Sequence, residues 1–438
     1  MLSRRKFLGT SSLALAGAAC GTSSRAPVQA AATPGATRLP PSIGALTSMT
    51  SQAVPISVAE RRGRLDRART LMGENRLDAV ILAGGTSLAY FTGMHWGNSE
   101  RLTCVVIPRE GEAFIVTPKF EEERTLEQAR TGPLGSGTRV LTWEEDQNPY
   151  QLVAQELRSA ALTTGTVGVE ETVKYVFVEG IATASPALHL TSATTVTAGC
   201  RMIKDAHEVA LMRLANQVTL KAYEAVYHAL QPGMTQDDAA TLIAAAYGRL
   251  GFRGDATVQV GKYSALPHGS ATPQTIREGT IIMIDDGCTV EGYQSDITRT
   301  FVLGKATDKM KRVFDIEHAA QTAALKAARP GVEAQSVDAA ARKVIEDAGY
   351  GPGYKFFAHR VGHGIGMDGH EWPYLVRGNT LKLQAGMTFS DEPGIYIPGE
   401  FGMRLEDDMH ITEAGAELFT PQSPSLESPF QEAAANNK

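Results

Sequence analysis

The four cysteines of this 438-residue chain, Cys20, Cys104, Cys200 and Cys288, are scattered, and no CxxC pair occurs. That excludes a zinc knuckle and gives no disulfide framework. Basic charge is not in excess either. The formal net charge is −6, which leaves no electrostatic case for binding nucleic acid. Long hydrophobic runs are missing: the apolar stretch at residues 8–19 is too short and too weakly apolar to span a bilayer. What is present is ordinary for a soluble globular protein, with 43% apolar and 21% charged residues. The length predicts two domains once a leader is set aside.

The leader reads Ser3-Arg4-Arg5-Lys6-Phe7-Leu8, a twin-arginine signature ahead of a mildly apolar region. Gly17-Ala18-Ala19-Cys20 resembles a lipoprotein cleavage site, with Gly17 where Leu is usual, and makes Cys20 a candidate lipid anchor. Val28-Gln29-Ala30 is an alternative exit for a released protein. The expected location is therefore periplasmic or membrane-anchored. Export by this route carries folded proteins, which suits a protein loaded with its cofactor before it leaves.

Residues 21–54 are Ala, Thr, Ser, Pro and Gly with little periodicity, the composition of a disordered tether, so residues 1–54 are set apart as leader and tether. Ser57-Val58-Ala59-Glu60 reads as a capping box opening a charged helix to about Asn75. Strand-like runs at 78–83, 103–108, 113–117 and 166–170 alternate with helical segments near 121–129 and 150–162. That pattern predicts an α/β layer domain over residues 55–198. Nothing in it clusters like a catalytic site; Tyr90-Phe91-Thr92-Gly93 and His95-Trp96 read as core packing plus a turn.

A long amphipathic helix at 204–230 starts a second domain, 199–425, with a tail at 426–438. This domain repeats itself. Pro232-Gly233 precedes a helix ending at Gly251-Phe252, and Pro330-Gly331 one ending at Gly349-Tyr350, with equal intervals of 20 residues. Gly279 opens a strand reaching Asp285 and Gly386 one reaching Glu392, each over 6 residues. Asp296 near Arg299 is matched by Glu406 near Arg404. Three agreeing landmarks predict an α+β domain of two helix-helix-hairpin halves, related by a pseudo-twofold axis, each giving two carboxylates to the seam.

Those carboxylates need positive charge. An apolar strand, 281–284, runs straight into Asp285, and a hairpin would fold Asp296 back toward it. Two buried carboxylates at one point repel unless a cation or proton lies between them. A local alternative leaves Asp285 in a turn and pairs Asp296 with Arg299. The run His359-Arg360-Val361-Gly362-His363-Gly364 offers imidazole, with glycines that keep His363 uncrowded. Asp285, Asp296, Glu392 and Glu406 carry four negative charges, which balance two divalent cations. Oxygen-rich ligands with one imidazole suit Mn²⁺ or Fe²⁺, with Co²⁺ and Zn²⁺ possible. Two such metals would generate a hydroxide near neutral pH and polarise a carbonyl, which is hydrolytic chemistry. Arg404 is most simply a partner orienting Asp296 or Glu406. His359 and His370 taken singly read as core or surface histidines, Glu371 as a solvated charge, and His268 as an isolated loop histidine.

The ordered set Asp285-x-Gly287, Ser295-Asp296-Ile297-Thr298-Arg299-Thr300, Gly362-His363-Gly364-Ile365-Gly366, Glu392-Pro393-Gly394 and Arg404-x-Glu406-Asp407 resembles the pita-bread metallopeptidases. Within them it is similar to the Xaa-Pro aminopeptidase and Xaa-Pro dipeptidase (prolidase) branch, over roughly residues 56–420. Residues 61–93 resemble the creatinase-type N-terminal domain of that branch. The resemblance implies that Asp285 chelates one metal, Asp296 and Glu406 bridge both, and His363 and Glu392 complete the second. It also implies two divalent ions, Mn²⁺ first, with a bridging hydroxide whose proton Glu392 shuttles. His268 and His370 match substrate-contacting positions, and His359 and Tyr396 match positions lining the pocket. The implied substrates are proline-containing peptides or dipeptides, and similar proteins are commonly homodimers. Other readings are a metal-free creatinase-type reaction, a phosphotriester hydrolase, and a catalytically silent binding lipoprotein. The first and last of these would be expected to lose ligand positions, and here all five stand.

Overall fold

The computed structural model describes residues 39–430. The leader, Cys20 and the first part of the proposed tether lie outside them. Among the described residues no helix is long and apolar enough to cross a membrane.

The chain runs through α1 (Pro41–Gly44), α2 (Val58–Asn75), β1 (Ala79–Ala83), α3 (Thr86–Thr92), β2 (Cys104–Pro108), β3 (Phe114–Pro118), α4 (Glu122–Thr131), β4 (Arg139–Trp143), α5 (Pro149–Ser159), β5 (Gly165–Val169), α6 (Tyr175–Ala184), β6 (Leu188–Ser192) and α7 (Thr194–Arg201). The capping box forms as read: Ser57 Oγ accepts from the Glu60 amide at 3.2 Å, and Glu60 Oε2 accepts from the Ser57 amide at 2.7 Å. The six strands make one mixed sheet, β4-β3-β2-β1-β5-β6. Its central strands β1, β2 and β3 are buried on both faces and pack against two separate apolar clusters. Tyr90 and Phe91 are core residues, as expected.

The expected tether is corrected at its C-terminal end. Residues 40–54 are ordered, with Ile43 fully buried against α8 (Ala206–Tyr227) and α9 (Gln236–Leu250). Met49 N donates to Leu250 O at 2.9 Å, and Arg249 Nη2 holds the Gly44 and Leu46 carbonyls. One Ile and a few backbone bonds suffice to dock a segment whose composition reads as disordered. Ile43→Ala should lower stability by about 2–5 kcal/mol in denaturant unfolding; an unchanged midpoint would mean the segment is loosely attached. The first residues of the C-terminal tail, 426–430, pack on the domain before them. Leu426 is buried, and its carbonyl accepts from Val302 N at 2.9 Å.

Past α9 come β7 (Arg253–Gly254), β8 (Thr257–Val260), β9 (Ile281–Asp285), β10 (Cys288–Val290), β11 (Tyr293–Gln294) and β12 (Arg299–Val302). The second half follows: α10 (Asp308–Ala327), α11 (Ala334–Asp347), β13 (Gly362–Gly364), β14 (Glu371–Leu375), β15 (Thr388–Asp391), β16 (Gly394–Ile397), β17 (Phe401–Arg404), β18 (Asp407–Ile411) and β19 (Ala416–Leu418). The repeat is visible bond by bond. Gly233 N donates to Ile276 O at 2.9 Å and Gly331 N to Leu383 O at 2.8 Å. Gly279 N donates to Leu303 O and Gly386 N to Ile411 O, both at 2.8 Å. Each half carries its own apolar core.

Within each half, strand register delivers the acids to the same end. Ile284 pairs with Arg299, placing Asp285 opposite the loop before β12; Asp391 pairs with Asp407, placing Glu392 opposite the loop before β18. In this register the counterpart of Glu406 is Thr298, not Asp296, which lies two residues earlier. The counterparts meet across the seam: Glu406 N donates to Thr298 O at 3.2 Å, and Arg299 pairs with Asp407 at 2.6 Å. Asp296 is thus not paired with Arg299. Gly287 permits the fold-back, since a Cβ there would stand 2.0 Å from Ser295 O.

Candidate metal centre

Asp285 ends β9, Asp296 precedes β12, His363 is central in β13, Glu392 follows β15 and Glu406 precedes β18. All five line one cleft of about 160 Å³, together with Pro267, His268, Asp286, His359, Arg360, His370 and Arg404. The site residues predicted from sequence therefore converge, except that Tyr396 lies behind the wall, buried. Ligand atoms of Asp285, Asp296 and Glu406 lie within 4.8 Å of one another, and so do those of His363, Glu392 and Glu406. The two groups share Glu406. A third joins Asp296, His363 and His370.

The donor set fits metal ions by a test of its own. His363 Nδ1 lies 3.1 Å from the Gly364 carbonyl, which can only accept, so the proton belongs on Nδ1. Nε2 then turns a lone pair toward Glu392 Oε1 at 3.3 Å and Asp296 Oδ2 at 3.7 Å. A lone pair facing two carboxylates is repulsive unless a cation or a shared proton sits among them. The electrostatics agree. Burial, and then Asp285, hold the Asp296 carboxyl well above the usual range; burial and Asp296 do the same to Glu406. Burial pushes Glu392 up to about 7 against the pull of Arg404, and pushes His363 down to about 3 with help from His370. Three carboxyls that resist ionising and an imidazole that resists protonation are the signature of a site completed by divalent cations.

Arg404 corrects one expectation. Its Nη2 pairs with Asp285, while its Nε is 3.8 Å from Glu406 Oε2 and donates to Thr298 Oγ1 at 2.9 Å. Thr298 Oγ1 lies between Asp285 and Glu406, 2.6 Å from Glu406 Oε2, and has one proton to offer the pair. Arg404 Nη1 donates to Tyr396 Oη at 2.9 Å, and Tyr396 Oη lies 2.8 Å from His359 Nε2. His359 Nδ1 donates to Arg360 O, so Nε2 is the acceptor and Tyr396 its donor. The chain His359–Tyr396–Arg404–Asp285 thus fixes one metal-facing carboxylate from behind. Burial holds His359 at about 3, neutral in this chain.

His370 stacks on His363 with ring centroids 3.6 Å apart, and both His370 and His268 are exposed on the rim. Glu371 is not a solvated charge: it is buried between Arg201 and Lys204. The sequence reading missed Thr298 and Arg360, although both stand inside quoted motifs. It also missed Asp408, which accepts from Asp296 N at 3.0 Å and from Asn216 Nδ2 at 2.9 Å. Asp408 carried no signal beyond its two acidic neighbours.

Residues 210–413 match the model of metallopeptidase family M24, and residues 64–203 match the creatinase/prolidase N-terminal domain. The probable dipeptidase PepE of Mycobacterium tuberculosis is 37% identical over 356 residues, 81% of this chain and 92% of the relative. The chain belongs to metallopeptidase family M24. An Xaa-Pro dipeptidase of Lactobacillus delbrueckii is 32% identical, with 83% and 98% of the two chains aligned. Among solved structures, dipeptidase PepE from Mycobacterium ulcerans superposes with a TM-score of 0.79 at 35% identity, covering 85% of this chain and 99% of that one. This M24 chain is thus a metallopeptidase, a hydrolase, with the creatinase-type N-terminal domain and two-halved catalytic domain expected of it.

Proposed function

We propose that this metallopeptidase is an exported exopeptidase that hydrolyses the Xaa–Pro bond of dipeptides. The observation that carries it is the pair of three-ligand groups sharing Glu406, at the base of a cleft rimmed by His268 and His370. Two divalent ions held by Asp285, Asp296, His363, Glu392 and Glu406, Mn²⁺ being the best match to that donor set, would supply a Lewis acid and a water acidified toward neutral pH. The rest is the work of side chains. Glu392, which lines the cleft, takes a proton from the attacking water and returns it to the leaving prolyl nitrogen. His370 donates to the carbonyl oxygen as it gains charge. A prolyl amide has no N–H, so the cleft needs no acceptor for one.

Dipeptides are favoured over longer peptides by Arg360. Two arginines line the cleft, and Arg404 is already engaged by Asp285, Thr298 and Tyr396. Arg360 forms no salt bridge among the described residues; it stacks over Tyr374, 4.1 Å from the ring centroid, with Nη2 3.4 Å from His370 Nδ1. An unpaired guanidinium beside the catalytic rim suits a free substrate carboxylate. The test is turnover of Ala-Pro, Ala-Pro amide and Ala-Pro-Ala with added Mn²⁺. The free dipeptide should be the best substrate. Arg360→Met should raise its KM by about 10-fold or more and leave the amide unchanged. Cleavage of the tripeptide as fast as the dipeptide would make the enzyme an aminopeptidase instead.

Export follows from the Arg4-Arg5 leader, with retention at Cys20 or release after Ala30 as its two outcomes. Fractionation of cells expressing the full chain and an Arg4→Lys/Arg5→Lys variant distinguishes export from cytoplasmic retention.

A further inference from the structure

The turn between β13 and β14 carries His370, flanked by Asp368 and Glu371. Both flanking carboxylates are gripped by one residue of α7, inside the 64–203 stretch that matches the N-terminal domain and past the boundary at 198 expected from sequence. Arg201, the last residue of α7 and only 7% exposed, pairs through Nη2 with Asp368 and with Glu371. Its Nη1 donates to Ser87 Oγ at 3.3 Å, and Ser87 donates in turn to Glu170 Oε1 at 3.1 Å. Thr86, beside Ser87 at the start of α3, bonds Asp368 Oδ1. Lys204 Nζ donates to the other oxygen of Glu371 at 2.6 Å. Packing there is tight: a Cβ at Gly366 would stand 2.5 Å from Glu371 Oε1 and 2.9 Å from Lys204 Cε.

We propose that Arg201 is a positioning residue through which the N-terminal domain sets the place of His370 over His363. It touches neither substrate nor metal ligand. Its guanidinium meets a carboxylate on each side of His370, so the backbone at 370 is held from both ends of the turn. Both acids meet Nη2, while Nη1 of the same guanidinium is anchored on Ser87, a second point of attachment that a lysine ammonium lacks. The N-terminal domain, which contributes no residue to the cleft, thereby acquires a part in the reaction. The proposal rests on His370 acting at the scissile carbonyl. A displacement of about 1 Å at such a group costs on the order of 10²-fold in rate.

The experiment is a double-mutant cycle on the full chain with Mn²⁺ bound. Arg201→Met should lower kcat for Ala-Pro by about 10- to 100-fold with KM changed little, while metal per chain stays at the wild-type value. In a His370→Ala background the same substitution should cost less than about 2-fold, because the group it positions is gone. An equal loss in both backgrounds would mean a general structural role and overturn the proposal. Should Arg201→Met fold poorly, Thr86→Val removes one bond to Asp368 and leaves Arg201 in place; a smaller loss with the same non-additivity is expected. Hydrogen–deuterium exchange reads the turn without any substrate. Residues 366–371 should exchange faster in either variant with the rest of the chain unchanged, and unaltered exchange would overturn the proposal. Wild type failing to cleave Ala-Pro while the exchange effect stands would sink the Xaa-Pro reading alone.

Discussion

Glu406→Gln should reduce hydrolysis of Ala-Pro by at least about 10³-fold, several kcal/mol of transition-state stabilisation, and bring bound metal below the wild-type content in elemental analysis. Glu406 alone belongs both to the group with Asp285 and Asp296 and to the group with His363 and Glu392. It is 2% exposed, so no water or neighbouring acid is free to replace it. Glutamine keeps the volume and the bond to Thr298 while removing the charge. Misfolding is therefore not the expected cause of the loss. A purified variant with wild-type turnover would end the two-ion reading of this centre.

Removing the metal should make stability fall as pH rises above neutrality. Glu392 moves from an ordinary 4.5 to about 7 and Asp408 from 3.8 to about 8, chiefly through burial. A carboxyl raised in the folded state keeps a proton that the unfolded chain has already lost. Stability is then lost as pH climbs through the folded value. His359 and His363 act oppositely. Each falls from 6.5 to about 3, again mainly through burial, so their contribution grows between those values and is complete above 6.5. Above pH 6.5 the raised carboxyls carry the change, and His207, raised by its bond to Glu60, acts in the same direction. The melting temperature of chelated protein should therefore decline from pH 6.5 to 8.5 in calorimetry. Saturating Mn²⁺ at pH 8 should restore roughly 5 °C or more, as about 2.7 kcal/mol of binding linkage at a hundredfold excess over Kd would do. A chelated protein whose melting temperature is flat or rises over that interval would contradict the picture of crowded, cation-seeking acids.

The elements read correctly from sequence share strong local signals. The capping box at Ser57 and Glu60, the apolar runs of β1, β2 and β3, and the paired Pro-Gly and Gly landmarks of the repeat all needed only near neighbours. β4 and β6 went unread because they are sheet edges. Their residues are half exposed, β4 shows no alternation, and β6 alternates over only Leu188–Thr191, too short a run to stand out. α6 escaped for a related reason: Tyr175 and Val176 open it exposed, so its apolar residues do not form one stripe. The segment at 40–54 has too few apolar residues to predict burial, and Ile43 docks only because α8 and α9 present a surface for it.

The four carboxylates, their order along the chain and the Pro-Gly and Gly landmarks of the duplication were legible in residue spacing, because a strand's length and a hairpin's turn are local properties; the ligand roles came from the family resemblance. Which charges pair was a different matter. Arg299 chose Asp407 over its near neighbour Asp296, Arg404 chose Asp285, and Glu371 went to Arg201 across the domain boundary. These partners are separated by a hundred residues or more in the chain, and a buried charge pairs with whatever packing brings within reach. Burial, and with it the neutral state of His363 and the shift of Glu392 to about 7, likewise belongs to the assembled fold, since desolvation depends on every element closing over the site.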